Sequence, residues 1–413
     1  MIQEVILITA NFPYYPGEQF LETEIEYWEK TENIHLTIMP VGIGTEKREI
    51  SKNISINYSL INKLKKYKTR IIYILKSLKC KIFYVEIYTQ ILQKPKNLKM
   101  GLMSVVKYLF FKDKLKSFLI ENKDKKLVFY TYWHTEVTYS LQSLKQEYDF
   151  LLVTRTHRFD IYEETRKHHY MPLRRQFLHN IDKIYTITKN AEEYLFERYG
   201  FNKNIIETSR LGVKQYNMLS IPNEEKIYHI VSCSFLIEVK QIDKLINSIA
   251  ELTSIMQGVN ITWTHIGSGA LEEKLKDHAY NKFKNISNIS YEFLGELKNK
   301  EVYTFYENNN IDVFINVSAS EGVPVSIMEA MSFQIPIIAP DVGGINEMVL
   351  DGYNGTLLSA KPSIVEIAKA LSEISFFKEK STRENVYKVY KDKYDSEYNY
   401  PLFIKNILEL NNC

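Results

Sequence analysis

Short apolar runs recur along this chain, separated by longer stretches in which apolar residues return at helical spacing. The first run, Val5-Ile6-Leu7-Ile8, meets a loop containing Pro13, Pro16, Gly17 and Glu18, and an amphipathic pattern over 20–27 follows. That order predicts strand, loop and helix. Further strands are predicted at 127–130, 150–154 and 183–187 with helical patterns between them, which implies a parallel sheet with crossover helices. Around Ser220, Pro222 and Lys226 the chain turns polar, and a new strand is expected at 228–231. Four more follow at 261–266, 289–294, 313–317 and 336–339, again alternating with helical stretches. Two α/β domains are expected, 1–220 and 221–393, with 394–413 as a closing helix. No sequence repeat and no low-complexity tract is present.

The richest stretch for chemistry is 321–347, Glu321-Gly322-Val323-Pro324-Val325-Ser326-Ile327-Met328-Glu329 and then Gly343-Gly344-Ile345-Asn346-Glu347. Pro324 is favoured at the first position of a helix, where its missing N–H costs nothing. The start of that helix, with its free N–H groups and positive dipole end, attracts phosphate. Gly322 allows a ligand close to the backbone; Val323 and Val325 flank the same start. Glu329 lies among Ile327, Met328, Ala330 and Met331 and is expected to be partly buried, which requires hydrogen-bond donors such as ribose hydroxyls. Glu321 precedes the helix, so the two carboxylates can approach a two-ended ligand from different sides. A short strand and a turn through Gly343 and Gly344 are expected to lead into another helix carrying Glu347.

These residues resemble the donor-binding half of family 4 glycosyltransferases. The shared pattern is Glu321-Gly322, Glu329-Ala330, Gly343-Gly344 with Glu347, and Asn354-Gly355. The resemblance implies the GT-B fold, two facing Rossmann-like domains with a C-terminal helix crossing back to the first, and a nucleotide-sugar donor between them. It implies a retaining transfer to a glycan or lipid-linked acceptor, with Glu321 on donor-sugar hydroxyls and Glu329 on the ribose. Lys240 matches the family's diphosphate lysine. The family's arginine is absent: Phe235 stands in its place, preceded by Ser234 instead of glycine. Arg210, Arg155 and Arg158 are candidates for the missing cation. The segment from Arg155 to Asp160 is similar to the family's His-Gly-x-Asp element, placing His157 near the donor sugar, with Arg158 where glycine is usual. Asp160 either supports the acceptor site or caps the following helix. Gly17 is expected to cover the phosphates, and Gly267, in a Gly-x-Gly turn, to be mainly structural with contacts to the base. The catalytic positions expected are His157, Lys240 and Glu321.

No Asp-x-Asp element and no histidine-rich spacing appears, so neither a metal nor a cofactor is expected. Two alternatives stay open: a nucleotide-sugar epimerase or hydrolase using the same cleft, and a non-catalytic sugar-nucleotide-binding partner of a synthase.

Composition narrows the class. The chain has 413 residues, enough for two cores, with 45% hydrophobic and 25% charged residues. Met1-Ile2-Gln3-Glu4 lacks a basic start, the run that follows is short for a signal peptide, and no apolar stretch reaches membrane-spanning length. Cys80, Cys233 and Cys413 are distant and odd in number, which fits a reducing cytoplasm. The charge of +3 hides an asymmetry: residues 63–126 hold 18 Lys plus Arg against four acids, +14, leaving −11 elsewhere. Tyr67, Tyr73, Phe83, Tyr84, Tyr108, Phe110, Phe111 and Phe118 are interleaved with these cations. The mixture suits helices on anionic lipid, at the inner face of the membrane, or a solvated outer face. No nucleic-acid-binding motif accompanies the charge, and nucleic acid is not expected as a partner.

Overall fold

Every apolar run named above lies on or overlaps a strand, and the strands assemble into two parallel sheets. The computed structural model describes residues 3–92, 94–215, 219–224 and 226–410; Met1, Ile2, Glu225 and Cys413 lie outside them. The chain divides into two compact units, Met1–Arg210 with Tyr400–Cys413, and Leu211–Asn399.

In the first unit the strands are β1 (Gln3–Thr9), β2 (Ile34–Pro40), β3 (Ser55–Ile56), β4 (Leu127–Thr131), β5 (Leu151–Thr156), β6 (Lys183–Thr186) and β7 (Ile206–Thr208), in the order β3-β2-β1-β4-β5-β6-β7. Alternation along β1 sends Val5 and Leu7 to a face shared with Leu21, Ile25 and Trp28. Ile6 and Ile8 go to the other face, against Val106, Phe110 and Leu141. A sheet covered on both faces by helices needs both sets to be apolar. The last helix, Ser396–Glu409, adds Phe403, Ile404 and Ile407 to the first of these faces.

The second unit holds β8 (Ile227–Cys233), β9 (Asn260–Ile266), β10 (Ile289–Phe293), β11 (Val313–Ile315), β12 (Ile337–Pro340) and β13 (Gly355–Leu358), in the order β10-β9-β8-β11-β12-β13. Both sheets are therefore Rossmann-like. Each reverses its strand order beside its first strand, between β1 and β4 and between β8 and β11. At such a reversal the loops leaving the two strands diverge, and a crevice opens at their carboxyl ends.

Four strands escaped the sequence reading. β2 mixes His35 and Thr37 into its apolar residues, β3 and β7 are short edge strands, and β13 begins at a glycine. Two helix assignments need correction. Pro324 has φ −72° and ψ 116°, so it stands just outside the helix Val325–Ser332 and not at its first position. Glu347 ends a single 3-10 turn, Ile345–Glu347, because the chain must fold back at once toward β13. The basic stretch also differs from expectation. The helix Leu98–Glu121 is a core helix, so Tyr108, Phe110, Phe111 and Phe118 are buried in the unit, as is Phe83. Five of the eight aromatics counted as surface residues thus pack inward. Among the described residues no helix is long and apolar enough to cross a membrane.

Candidate functional site

The second unit gathers its chemistry at the reversal of its sheet. The loop leaving β8 ends in a 3-10 turn, Glu238–Lys240, and the loop leaving β11 carries Asn316 and Glu321. Lys240 Nζ donates to Glu321 Oε1 at 2.5 Å, and Asn316 Nδ2 donates to the same oxygen at 3.2 Å. The side chains of Lys240 and Glu321 are only 18% and 10% exposed, so the pair is held in a partly desolvated setting where a charge acts strongly. The two loops are also joined through backbone, Ala319 N–H donating to Val239 C=O at 2.8 Å.

Glycines make this close approach feasible. Gly267 has φ +136°, and a Cβ there would sit 2.0 Å from the carbonyl oxygen of Ser234; a Cβ on Gly343, at φ +64°, would sit 2.1 Å from that of Glu321. Both positions therefore press a neighbouring loop against the residues that bear Lys240 and Glu321. Gly344 N–H then bonds Gly322 C=O at 2.8 Å, closing the loop ahead of the helix Val325–Ser332. That helix starts without a side-chain cap and without an acidic residue in its first turn, so its positive end is not neutralised from within. Val323 and Val325 are half-buried at this start. Phe235, in the loop after β8, is 55% exposed.

Glu329 projects from the same helix and is buried. Asn299 Nδ2 donates to its Oε1 at 2.5 Å, and Tyr303 OH reaches that oxygen at 3.5 Å. Burial lifts its carboxyl to about 7, against the pull of Asn299 and Tyr303. The partners come from the helix Asn299–Asn308, which the sequence pattern marked as helical but not as part of any site. Cys233, at the end of β8, has its thiol pushed up by burial and further by Glu329. Glu347 ends the 3-10 turn that follows Gly344, and its carbonyl accepts from Lys393 Nζ at 2.8 Å.

In the first unit, the loop after β1 is built around the carboxylate of Glu18. It accepts from the N–H groups of Ala10, Asn11 and Phe12 at 2.9, 2.7 and 2.6 Å and from Trp133 Nε1 at 2.7 Å. Arg48 braces the outside, donating to Tyr14 C=O and Gly17 C=O at 2.8 Å each. Gly17 itself has φ +93° with open space where a Cβ would be.

His157 follows β5 and is buried among Tyr132, Trp133 and Phe20, with ring centroids 4.6, 4.5 and 5.6 Å away. Burial, and then Arg155, drive its basicity well below the usual histidine range, so the ring is neutral. Neither ring nitrogen has a protein hydrogen-bond partner. Asp160 holds the turn: Oδ1 accepts from His157 N–H and Oδ2 from His134 N–H, both at 2.6 Å. Its carboxyl is raised to about 6 by burial, with Arg174 opposing. Arg174 is fully buried and donates to Asp160 C=O at 2.6 Å and His134 C=O at 2.9 Å, a cluster that sequence reasoning missed because its members are 14 to 40 residues apart.

Arg155 cannot supply the missing cation. It is fully buried, ion-paired with Glu24 at 2.5 Å and stacked on Phe403 at 4.0 Å. Arg158 and Arg210 are half-buried, the first opening the short helix Arg158–Ile161 and the second closing the unit's main segment.

Two parallel-sheet Rossmann-like units, each with its loops at a strand-order reversal, define a GT-B-type α/β protein. Solved structures agree on the fold: the lipopolysaccharide outer core galactosyltransferase WaaB superposes with TM-score 0.70 at 15% identity over 98% of this chain and 99% of that one. A sucrose-phosphate synthase from Thermosynechococcus elongatus gives TM-score 0.68 at 14% identity, covering 99% of both chains. More particularly, residues 217–391, which lie within the bounds of the second unit, are similar to the family described as Glycosyl transferases group 1. Among curated proteins, the O-antigen biosynthesis glycosyltransferase WbnH of Escherichia coli is 30% identical over 168 residues, 41% of this chain and 44% of WbnH. The GtfA subunit of a UDP-N-acetylglucosamine–peptide N-acetylglucosaminyltransferase of Streptococcus agalactiae is 27% identical over 183 residues, 43% of this chain and 34% of GtfA. The matches thus span less than half the length of these relatives.

Proposed function

We propose that this chain is a retaining glycosyltransferase that moves a sugar from a UDP- or GDP-sugar to a glycan or lipid-linked acceptor in surface-polysaccharide assembly. The observation that carries the reading is the Lys240–Glu321 pair, held at 2.5 Å at the strand-order reversal beside an uncapped helix start. Ligands of open parallel sheets bind at such a place. A diphosphate there meets the Lys240 ammonium and the first N–H groups of the helix Val325–Ser332. Glu321, oriented by Lys240 and Asn316, is left to accept from donor-sugar hydroxyls, and Glu329 accepts from the ribose. During transfer the bond from the sugar's anomeric carbon to the diphosphate oxygen breaks and the acceptor hydroxyl adds on the same face. The hydroxyl proton passes to the leaving phosphate. Lys240 stabilises the charge that grows on that phosphate without calling on a metal ion, a contribution of about 3–4 kcal/mol by comparison with other transition-state donors. In the first unit, the neutral His157 offers a ring nitrogen to a sugar hydroxyl.

The relatives' names support the direction: O-antigen biosynthesis for WbnH, and a complex with UDP and GlcNAc for a pneumococcal GtfA structure with TM-score 0.55. Thermal shift against UDP, GDP, ADP and dTDP sugars, followed by transfer of the stabilising sugar to membrane extract, tests the proposal. Stabilisation by one nucleotide sugar with acceptor-dependent transfer is expected; turnover unaffected by removing the acceptor would sink it. Phe235, exposed where related enzymes have arginine, favours one second reading, a sugar-nucleotide-binding partner without catalysis. Binding without transfer to any acceptor would select it.

A further inference from the structure

We propose that the outer face of residues 63–99, in the first unit, docks on an anionic lipid surface. This segment forms the helices Tyr67–Ser77 and Lys81–Glu86, then the turns leading to Leu98. Between Lys63 and Lys99 there are eleven Lys plus Arg and a single acid, Glu86. Glu86 is turned inward, accepting from Tyr170 OH at 2.5 Å, Gln176 Nε2 at 2.7 Å and Leu173 N–H at 3.1 Å. No carboxylate of the segment therefore offsets its cations at the surface, and among the described residues the outside acid ion-paired with it is Asp113, on Lys76.

Apolar side chains stand out among these lysines. Tyr88 is 77%, Tyr67 69%, Leu92 63% and Leu75 59% exposed, with Tyr84 and Ile72 also exposed. The helix Tyr67–Ser77 buries only Ser77 completely, so its Ile72 and Leu75 side has no protein cover. The neighbouring core helix behaves differently: its aromatics are buried, and Lys107 and Lys116 pair with Glu136 and Glu147. A solvated face has no use for Ile72, Leu75 and Leu92, and a phosphate backbone gains little from aliphatic side chains. A bilayer interface takes both kinds at once: lysines meet anionic headgroups, tyrosines sit at headgroup level, and leucine and isoleucine reach the acyl boundary.

Flotation of the full chain with vesicles tests this, comparing phosphatidylcholine alone with equimolar phosphatidylcholine and phosphatidylglycerol at low and high salt. The assay needs neither donor nor acceptor, so it stands or falls apart from the transferase reading. Strong, salt-weakened partitioning onto the anionic vesicles alone is expected. The triple variant Lys66→Gln, Lys68→Gln, Lys79→Gln should lose about a hundredfold in partitioning. Leu75→Ser with Tyr88→Ser should lose about tenfold or more while keeping the salt dependence. Equal partitioning onto neutral vesicles, undiminished partitioning of either variant, or displacement from vesicles by single-stranded RNA at equal charge would overturn the proposal. These side chains are exposed, and an unchanged melting curve confirms that each variant is folded.

Discussion

The two sheet reversals are built on one plan and treat their charged groups in opposite ways. In the second unit, Lys240 and Glu321 meet at the mouths of two loops, and the helix beside them starts uncapped. In the first unit, the charged groups are already matched inside the fold: Glu18 by four N–H donors, Arg155 by Glu24, and Arg174 by the His134–Asp160 turn. The same topology thus places a partly exposed ion pair beside an uncapped helix start in one half and buries its charged groups against internal partners in the other. At the first reversal both ring nitrogens of His157 are buried without a protein partner, as are His134 Nε2 and Tyr132 OH beside it, so these are the groups with something left to offer a ligand.

From this contrast, the largest effect on stability is expected in the first unit. Arg155→Met leaves Glu24 buried without its counter-charge and should cost about 3–5 kcal/mol, read as a lowered urea midpoint for that unit's transition. A midpoint within experimental scatter of the parent would break the contrast. Lys240→Ala should act mainly on turnover, lowering kcat by about a hundred- to a thousandfold with a far smaller change in melting temperature. A collapse in stability with kcat retained would recast Lys240 as a structural cation.

Glu329 sharpens the comparison through pH. Burial places its carboxyl at about 7, so it is protonated below that value and an all-acceptor carboxylate above it. Donor KM should therefore fall by several-fold as the pH rises from about 6 to about 8, the difference a charged acceptor makes to its hydrogen bonds. Glu329→Gln should raise KM and flatten that profile; a parallel profile in the variant would remove Glu329 from donor binding. The smallest effect is expected for Phe235→Arg. At 55% exposure the ring contributes little to packing, so stability should move by no more than about 0.5 kcal/mol, while donor KM drops a few-fold. A raised KM would show that the ring, and not a missing charge, serves the site.

Much of the arrangement was legible beforehand, though unevenly. Lys240 and Glu321 are 81 positions apart, yet each follows an apolar run, and two runs that become neighbouring parallel strands deliver their loops to one edge. The family resemblance had put both in one site, and the strand order gives the geometric reason for their meeting. Glu329 was expected to be buried because its neighbours are apolar. Its partners Asn299 and Tyr303 were invisible because they sit on an ordinary-looking helix about 30 residues away. Arg155 shows the opposite failure: beside His157 it looked available, and only its partner 131 positions back shows that it is not. The aromatics of residues 63–126 fall between these cases. Their spacing announced helices, but whether Phe110 and Tyr84 point to core or solvent depends on what lies across the helix.

The order of residues alone settled the alternation of strand and helix, hence two parallel α/β units, and the loops that bear glycines, Lys240 and Glu321. Those are consequences of local periodicity and of backbone geometry at single positions, which need no distant partner. Which charges face outward and which are neutralised inside was settled by three-dimensional packing, since burial and ion pairing are properties of pairs brought together across the fold. So a lysine could be placed from its strand, whereas the inward turn of Glu86 and the burial of Arg155 emerged only with their neighbours in place.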